Sequence, residues 1–390
     1  MLKKSIAELS ALGADITAPE IRQQPLMWLE TLSIFKNREK EINELLLCAK
    51  QVSNGKVRII FAGAGSSQYI GDTIVPYLNR NGDSRHFSFE NIGTTDIVAV
   101  PEDYLQKDET TILISFGRSG NSPESLATVA LADQMIHNLY HIVITCAKDG
   151  LLAKTMEGRE NSLLLLTPDE TNDKGFAMTS SFTSMMVMAL LIFDETSIEL
   201  KSEYLEIAAS MGREVIEREE EIKTFLDKDY ERIVYIGSGS LAGLSREAQL
   251  KVLELTAGKL STLFDSSMGF RHGPKSFVNE KTLLFMFVSS DPKVRRYDLD
   301  VLEEVKADQI AAGVLAIIQD LQDVQGYTGT EFGFEERKAL PEAYLALPDV
   351  MVAQIIALQT SIKVGNTPDT PSPTGTVNRV VKGVTIYSDL

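Results

Sequence analysis

Three charged residues in the second half of the chain stand at helical spacing. Glu247, Lys251 and Glu254 are four and then three residues apart, so a helix would place all three on one face. Exposed helices often carry ion-pair ladders with this pattern, which is one interpretation. The other is a carboxylate base held beside its charge partner, as general acid–base chemistry requires. The spacing alone fits both.

His272 follows the last of these residues by eighteen positions, within residues 270–275 (FRHGPK). The glycine and proline predict a tight, rigid loop, and an imidazole in such a loop could titrate near neutral pH. An ordinary surface histidine fits the segment equally well. The other histidines, His86, His137 and His141, have no motif around them, and we assign them no role.

Two glycine- and serine-rich turns in the first half of the chain fit an anion. Residues 62–67 (AGAGSS) and 115–122 (SFGRSGNS) each follow a short β-branched run and open a predicted helix. Glycine lets the backbone approach a ligand, the first free N–H groups of the helix point at it, and small hydroxyls add donors. The candidate hydroxyls are those of Ser66, Ser67, Ser115, Ser119 and Ser122. Together the turns favour a phosphorylated small molecule as the ligand.

The composition is that of an ordinary globular protein. The chain has 390 residues, 44% apolar and 24% charged, which is enough for two domains with full cores. The formal net charge of −17 disfavours nucleic acid and anionic membranes as partners. Cys48 and Cys146 are too few for a disulfide scaffold, and no metal or cofactor motif is visible. Because no long apolar run occurs, we expect a soluble, cytoplasmic protein. Because no metal or cofactor motif is visible, we expect it to need neither a metal nor a cofactor.

These candidate residues need a scaffold, and strand and helix signals alternate along the chain. In the first half, helical stretches separate short buried-strand runs at residues 57–61, 111–115, 141–145 and 162–166. Such alternation predicts a parallel sheet covered by helices on both faces. Ligands of these sheets bind beyond the carboxyl ends of the strands, where both turns fall.

The second half repeats this order. Its elements are a strand at residues 233–236, a turn at 237–240 (GSGS), a helix at 241–258 and strands near Leu263, at 283–288 and at 314–318. The similarity of residues 60–67 to 234–240 is a weak internal repeat. We therefore expect a duplicated α/β unit, with one copy binding and the other catalysing.

Helical signals at residues 24–52 and 342–364 flank these two blocks, and the proline-rich residues 366–375 cannot be helical. The predicted regions are an N-terminal helical segment (1–52), a first domain (53–205), a second domain (206–365) and a C-terminal tail (366–390).

The order of these motifs resembles the tandem sugar isomerase (SIS) fold, and in detail the AgaS family of galactosamine-6-phosphate deaminase/isomerases, also called tagatose-6-phosphate ketose/aldose isomerases. The likeness covers nearly the whole chain. It rests on the two turns, on residues 245–254 (SREAQLKVLE), on residues 271–274 (RHGP) and on the tail around Lys382. The resemblance implies an α/β fold of two SIS domains, each with a parallel five-stranded sheet between helices, preceded by N-terminal helices and followed by an active-site tail.

The resemblance also implies a role for each motif, because the isomerase half of glucosamine-6-phosphate synthase has the same order of motifs. Glu254 matches the carboxylate that moves a proton between C1 and C2, with Glu247 and Lys251 as its supports. His272 matches the group that opens the sugar ring. Lys382 matches a terminal lysine that reaches the reacting carbons.

The serine turns match the segments that hold the sugar phosphate in proteins of this family. Ser67, Ser119 and Ser122 correspond to phosphate-binding residues. Arg118 replaces a neutral residue and either adds charge to the phosphate site or points away. Residues 175–182 resemble a loop that lines the sugar.

The implied substrate is a small sugar phosphate, and the reaction needs no metal or cofactor. If C2 carries an amine, the expected reaction converts galactosamine-6-phosphate to tagatose-6-phosphate and ammonia. A ketose/aldose isomerase of a neutral hexose phosphate would use the same residues, and a non-catalytic sugar-phosphate sensor is the alternative from another class. The family further implies a homo-oligomer, a dimer or larger, in which His272 approaches the sugar from a neighbouring chain.

Overall fold

The computed structural model describes residues 1–320, 327–335, 337–381 and 383–387. The chain divides into two compact units, which we name by their sheets. The first-sheet unit consists of Met27–Asp173, Ser180–Lys201 and Thr376–Leu390, and the second-sheet unit of Met1–Leu26, Lys174–Thr179 and Ser202–Gly375. Each unit takes segments from several parts of the chain, and the sequence-based bounds at residues 52, 205 and 365 stay predictions.

Three helices begin the chain, namely α1 (Ile6–Ser10), α2 (Thr17–Arg22) and α3 (Gln24–Val52). The next elements are β1 (Val57–Gly63), α4 (Ser66–Asn81), β2 (Phe87–Gly93), α5 (Thr94–Ala99), α6 (Pro101–Tyr104), β3 (Thr111–Gly117), α7 (Pro123–Met135), β4 (Leu139–Thr145), α8 (Leu151–Lys154), β5 (Ser162–Leu166) and α9 (Ser180–Phe193). Their strands form a parallel sheet of order β2-β1-β3-β4-β5. The four predicted strands are confirmed. The edge strand β2 was missed because its sequence, FSFENIG, interrupts the apolar run with Ser, Glu and Asn.

The two serine turns are neighbours in this sheet. β1 and β3 are adjacent, and the connection that leaves β1 runs to β2 on one side whereas the connection that leaves β3 runs to β4 on the other. Ala62 of β1 pairs with Ser115 of β3, which aligns the carboxyl ends of these two strands. Open parallel sheets bind ligands at such a switch point.

The remaining elements are α10 (Ile198–Glu217), α11 (Glu219–Phe225), β6 (Arg232–Gly237), α12 (Ser240–Leu255), β7 (Ser261–Ser266), β8 (Thr282–Phe287), α13 (Pro292–Ala307), β9 (Gly313–Asp320), β10 (Thr330–Phe334) and α14 (Glu342–Lys363). Their strands form a second parallel sheet of order β10-β9-β8-β6-β7. Taken by rank along the chain, this is the strand order of the first sheet, as duplication of one unit would produce. The predicted strands are confirmed, and the edge strand β10 was missed.

Helix α14 belongs to the core of the second-sheet unit. By length and composition it could cross a membrane, and it alone among the helices described here passes that test. However, 89% of its apolar window is buried within the protein, as in the core helix of a globular fold. It packs against α12, where Ser361 Oγ donates a hydrogen bond to the carbonyl of Leu255.

Asp349 is a carboxylic acid in the middle of this buried helix. It is 0% exposed, and neither carboxylate oxygen has a hydrogen-bond partner among the residues that the structure describes. Burial raises the pKa of this carboxyl well above its ordinary value. The folded protein therefore binds the Asp349 proton more tightly than the unfolded chain does. Above the ordinary aspartate pKa, this group makes the free energy of unfolding fall as the pH rises.

Replacing Asp349 with Asn removes this titration while keeping the shape of the side chain. We expect the melting temperature of Asp349→Asn, minus that of the wild type, to increase between about pH 5 and pH 8. All other titrating groups are shared, so the difference isolates Asp349. Asp229→Asn, at a side chain 85% exposed in the same unit, is the matched control. A difference that stays constant over this range would contradict the prediction.

Candidate active site

The first serine turn joins β1 to α4 and is tightly folded. Gly65 caps the helix with a φ of +57°, a conformation that favours glycine. A Cβ at Gly63 would lie 2.5 Å from the carbonyl carbon of Ser67, so the turn also needs glycine there. Ser66 and Ser67 are the first two residues of α4, at the positive end of the helix, and both are buried.

The second serine turn joins β3 to α7. Ser122 caps α7 without a side-chain capping bond in the described part of the chain, and Pro123 follows at the first helical position. Ser119 and Ser122 are partly exposed, whereas Ser115 is buried within β3. The half-exposed hydroxyls and the N-terminus of α7 therefore form the accessible part of this turn, as an anion site requires.

Arg118 lies in the same serine turn, and its side chain contacts the C-terminal tail. Its guanidinium is buried, and Nη2 donates a hydrogen bond to the carbonyl oxygen of Arg379 at 2.8 Å. The sequence left open whether Arg118 adds charge to a phosphate site or points away. The structure gives it a tail contact, and a phosphate role for Arg118 stays a prediction.

The charged triplet Glu247, Lys251 and Glu254 lies on α12, as the spacing predicts. Lys251 and Glu247 are 1% and 0% exposed, and Glu254 is 23% exposed. The Lys251 Nζ lies 3.2 Å from Glu247 Oε1 and 2.6 Å from Glu254 Oε2. The interpretation as a solvated surface ladder is therefore wrong, because α12 packs against β6, β7 and α14.

The buried lysine keeps its charge. Burial alone would lower the pKa of Lys251, but the charges and hydrogen bonds of Glu247 and Glu254 raise it above its ordinary value. A fixed ammonium thus holds Glu254 at the boundary between core and solvent. A carboxylate in this position is oriented, partly shielded and still reachable by a ligand, as a proton-transfer base must be.

His272 lies in a surface loop that is fixed on both sides. Arg271 Nε lies 2.6 Å from Glu304 Oε2, and Lys275 Nζ lies 2.5 Å from Glu304 Oε1 and 2.6 Å from Asp308 Oδ2. Glu304 is on α13 and Asp308 is its C-cap residue. The His272 side chain itself is exposed and makes no hydrogen bond to any residue in the described ranges. The ion pairs hold the loop, and the His272 side chain faces solvent.

The glycine turn of the second sheet differs from the serine turns. Ser238 Oγ donates a hydrogen bond to Asp298 Oδ1 at 2.6 Å. A Cβ at Gly239, the N-cap of α12, would lie 2.8 Å from Glu342 Oε2. Two carboxylates of the chain itself thus flank the turn, and their charge opposes an external phosphate there. The two kinds of turn therefore differ in charge, and the expectation that one copy of the unit binds and the other catalyses stays a prediction.

The remaining predicted residues are only partly described. Lys382 lies outside the described residues. Within the proposed sugar-lining segment 175–182, the backbone N–H of Gly175 donates to the Glu20 carboxylate, and the N–H of Lys174, just before the segment, donates to Glu20 Oε1 at 2.5 Å. Within the described ranges, no group of three or more His, Cys, Asp or Glu side chains could hold a metal ion.

Sequence reasoning missed several residues that hold these parts. Glu304 had a signal, because Asp300, Glu304 and Asp308 form an acidic stripe at four-residue spacing that could pair with the cations beside His272. Arg379 and Glu342 had none, because their contacts join segments far apart in the chain.

The two parallel five-stranded sheets, with serine turns at one switch point, are those of a SIS-domain protein. A family model described as SIS domain matches residues 52–194. D-galactosamine-6-phosphate deaminase AgaS of Escherichia coli is 43% identical over 380 residues, which is 95% of both chains. The chain belongs to the AgaS family, as its motifs indicated.

Two further relatives support this membership. D-galactosamine-6-phosphate deaminase AgaS of Shewanella sp. (strain ANA-3) is 41% identical over 386 residues, covering 98% of this chain and 94% of its own. The crystal structure of tagatose-6-phosphate ketose/aldose isomerase from Escherichia coli matches with a TM-score of 0.85 and 40% identity, over 95% of this chain and 96% of that one. The family and the fold of two SIS domains are therefore confirmed.

Proposed function

We propose that this protein converts D-galactosamine-6-phosphate to tagatose-6-phosphate and ammonia. The observation that carries the proposal is the Glu247–Lys251–Glu254 triplet, which holds one partly accessible carboxylate beside a buried ammonium. The names of the two AgaS relatives supply the substrate. The substrate would be a small sugar phosphate handled in the cytoplasm, and neither nucleic acid nor membrane is needed.

The reaction divides into three steps. His272, whose imidazole can act as a general acid or base, opens the hemiacetal ring. Glu254 then removes the proton from C2 and delivers it to C1, while O1 gains a proton and the amine nitrogen loses one. The aldehyde carbon thereby becomes an alcohol and C2 becomes a ketimine. Water adds to the ketimine, and the carbon–nitrogen bond breaks to give the ketose and ammonia. Through this hydrolytic last step the isomerase would act as a deaminase.

The other predicted residues would bind and stabilise. Ser67, Ser119 and Ser122 would hold the phosphate through hydroxyl and backbone N–H donors. Lys382, by the family resemblance, would place a cation near the oxygen that gains charge when the C2 proton leaves. No step requires a metal or an organic cofactor.

The test is ammonia release, coupled to ketose detection, from galactosamine-6-phosphate and glucosamine-6-phosphate side by side. Ammonia from the galacto sugar, with little from the gluco sugar, is the expected result. Ammonia from neither sugar would contradict the proposal. Ketose formation from a neutral hexose phosphate would then favour the isomerase, the activity named for the E. coli crystal structure. Binding without turnover on any hexose phosphate would favour a sensor.

The exposed imidazole of His272 leads to a prediction about assembly. If the protein is a homo-oligomer in which His272 serves a neighbouring chain, His272→Ala and Glu254→Gln each inactivate a different half of a shared site. Random mixing of the two proteins as dimers should restore about a quarter of the wild-type activity, because half the dimers are mixed and each retains one intact site. No recovery in oligomers shown to be mixed would contradict the shared site.

A further inference from the structure

The C-terminal tail is held to the first-sheet unit through Arg379. Its Nε donates a hydrogen bond to the carbonyl of Asp173 at 2.9 Å, and Nη2 donates to the same carbonyl and to Asn172 Oδ1, the latter at 3.2 Å. The backbone carbonyl of Arg379 in turn accepts from Arg118 Nη2 at 2.8 Å. One residue of the tail is thus held from both its side chain and its backbone.

The loop that receives Arg379 is itself rigid. Asp173 is 0% exposed, and its carboxylate Oδ2 accepts from the backbone N–H of Ser181 at 2.8 Å and from the Ser181 hydroxyl, near the start of α9. Arg118, the other partner, lies in the serine turn beside Ser119. The tail therefore contacts two loops that follow the carboxyl ends of strands in the same sheet. The loop that contains Arg118 is a proposed phosphate-binding turn.

Beyond Arg379 the hold on the tail becomes weak. Residues 380, 381 and 383–387 make no hydrogen bond or ion pair with any part of the chain that the structure describes. Val384 and Ile386 are half-buried and line a cavity of about 660 Å³ with residues of α5 and α7, whereas Tyr387 is 81% exposed. Arg379 is thus the last polar attachment described before position 382, three residues further along the chain.

We propose that Arg379 is a positioning residue, which fixes the tail on the loop 172–173 and on Arg118, and that turnover depends on this hold. The inference rests on the proposed function, because Lys382 acts in it. A planar guanidinium suits this task, since it donates to a carbonyl and a side-chain amide in one plane. Loss of this hold should misplace the tail without altering the hydroxyls of the serine turns.

The experiment compares the full-length wild type with Arg379→Ala, Arg379→Lys and the control Arg85→Ala. Arg85 belongs to the same unit and is 79% exposed. In Arg379→Ala we expect kcat for ammonia release to fall about 10- to 100-fold, with KM changed less than about threefold. Tryptic cleavage after Lys382, followed by mass spectrometry, should become about tenfold faster, as expected for a locally released segment. Arg379→Lys keeps the positive charge but loses the planar guanidinium with its several N–H donors, so it should recover part of kcat.

Each outcome decides the proposal. Wild-type kcat in Arg379→Ala would overturn it, even if tail cleavage becomes faster, because the hold would then be structural only. A large rise in KM with unchanged kcat would also overturn it. If Arg379→Ala does not fold, Arg379→Lys decides by the same kcat and KM comparison. A wild-type protein that turns over no hexose phosphate would refute the proposed function and this inference together, whereas an active wild type with normal variants refutes the inference alone.

Discussion

Glu254→Gln should lower turnover of the amino-sugar phosphate by about 10²- to 10⁴-fold, the range that general acid–base groups contribute. The substitution keeps the size of the side chain and its ability to accept a hydrogen bond from Lys251, but the amide cannot take a proton from carbon. Because the serine turns are untouched, the affinity for the sugar phosphate, measured by calorimetry, should change little. Loss of turnover with retained binding identifies Glu254 as the base.

The control is Glu220→Gln, at a side chain 68% exposed on α11 of the same unit. It removes the same charge from the surface and should leave kcat and KM at their wild-type values. If Glu254→Gln retains more than about a tenth of the wild-type kcat, a role as the proton-transfer base is excluded, since such a group contributes at least 10²-fold. If turnover and sugar-phosphate binding are lost together, Glu254 contributes to binding instead.

The sequence was sufficient to predict the parts of the fold that have strong local signals. α3 has the predicted bounds, and eight of the ten strands that the structure describes were located, because their apolar runs lie between clear turn residues. The two missed strands, β2 and β10, have apolar runs that polar residues or glycine interrupt, FSFENIG and TEFGF. A strand is hard to recognise from sequence where polar residues interrupt its apolar run.

The candidate site likewise has features that the sequence predicts and features that only the folded structure shows. The spacing of Glu247, Lys251 and Glu254 predicted a shared helix face, but not whether that face is buried. Burial depends on α14, which packs on α12 from about ninety residues further along the chain. The contact of Arg118 with Arg379 and the approach of Glu342 to Gly239 likewise join distant segments. No local pattern encodes such pairs, so only the folded chain reveals them.

Lys251→Met should destabilise the protein by about 3–5 kcal/mol, the cost of leaving a buried charge without its partner. Methionine fills a similar volume, but Glu247, which is 0% exposed, then loses the ammonium 3.2 Å away. The free energy of unfolding would be measured by urea denaturation at neutral pH, with Lys223→Met, at an exposed lysine paired with Glu220, as the control. That control should change stability by less than about 1 kcal/mol.

The double variant Glu247→Gln/Lys251→Met separates the charge from the packing. With Glu247 neutralised, no unpaired charge remains in the core, so the double variant should be more stable than Lys251→Met alone, and the non-additivity measures the coupling of the pair. Glu254 would lose its ammonium in both proteins, so kcat should stay low even where stability returns. Stability and turnover can be separated in this way because Lys251 pairs with two carboxylates. It neutralises Glu247 in the core and orients Glu254 toward solvent. A double variant no more stable than Lys251→Met would show that the loss came from packing.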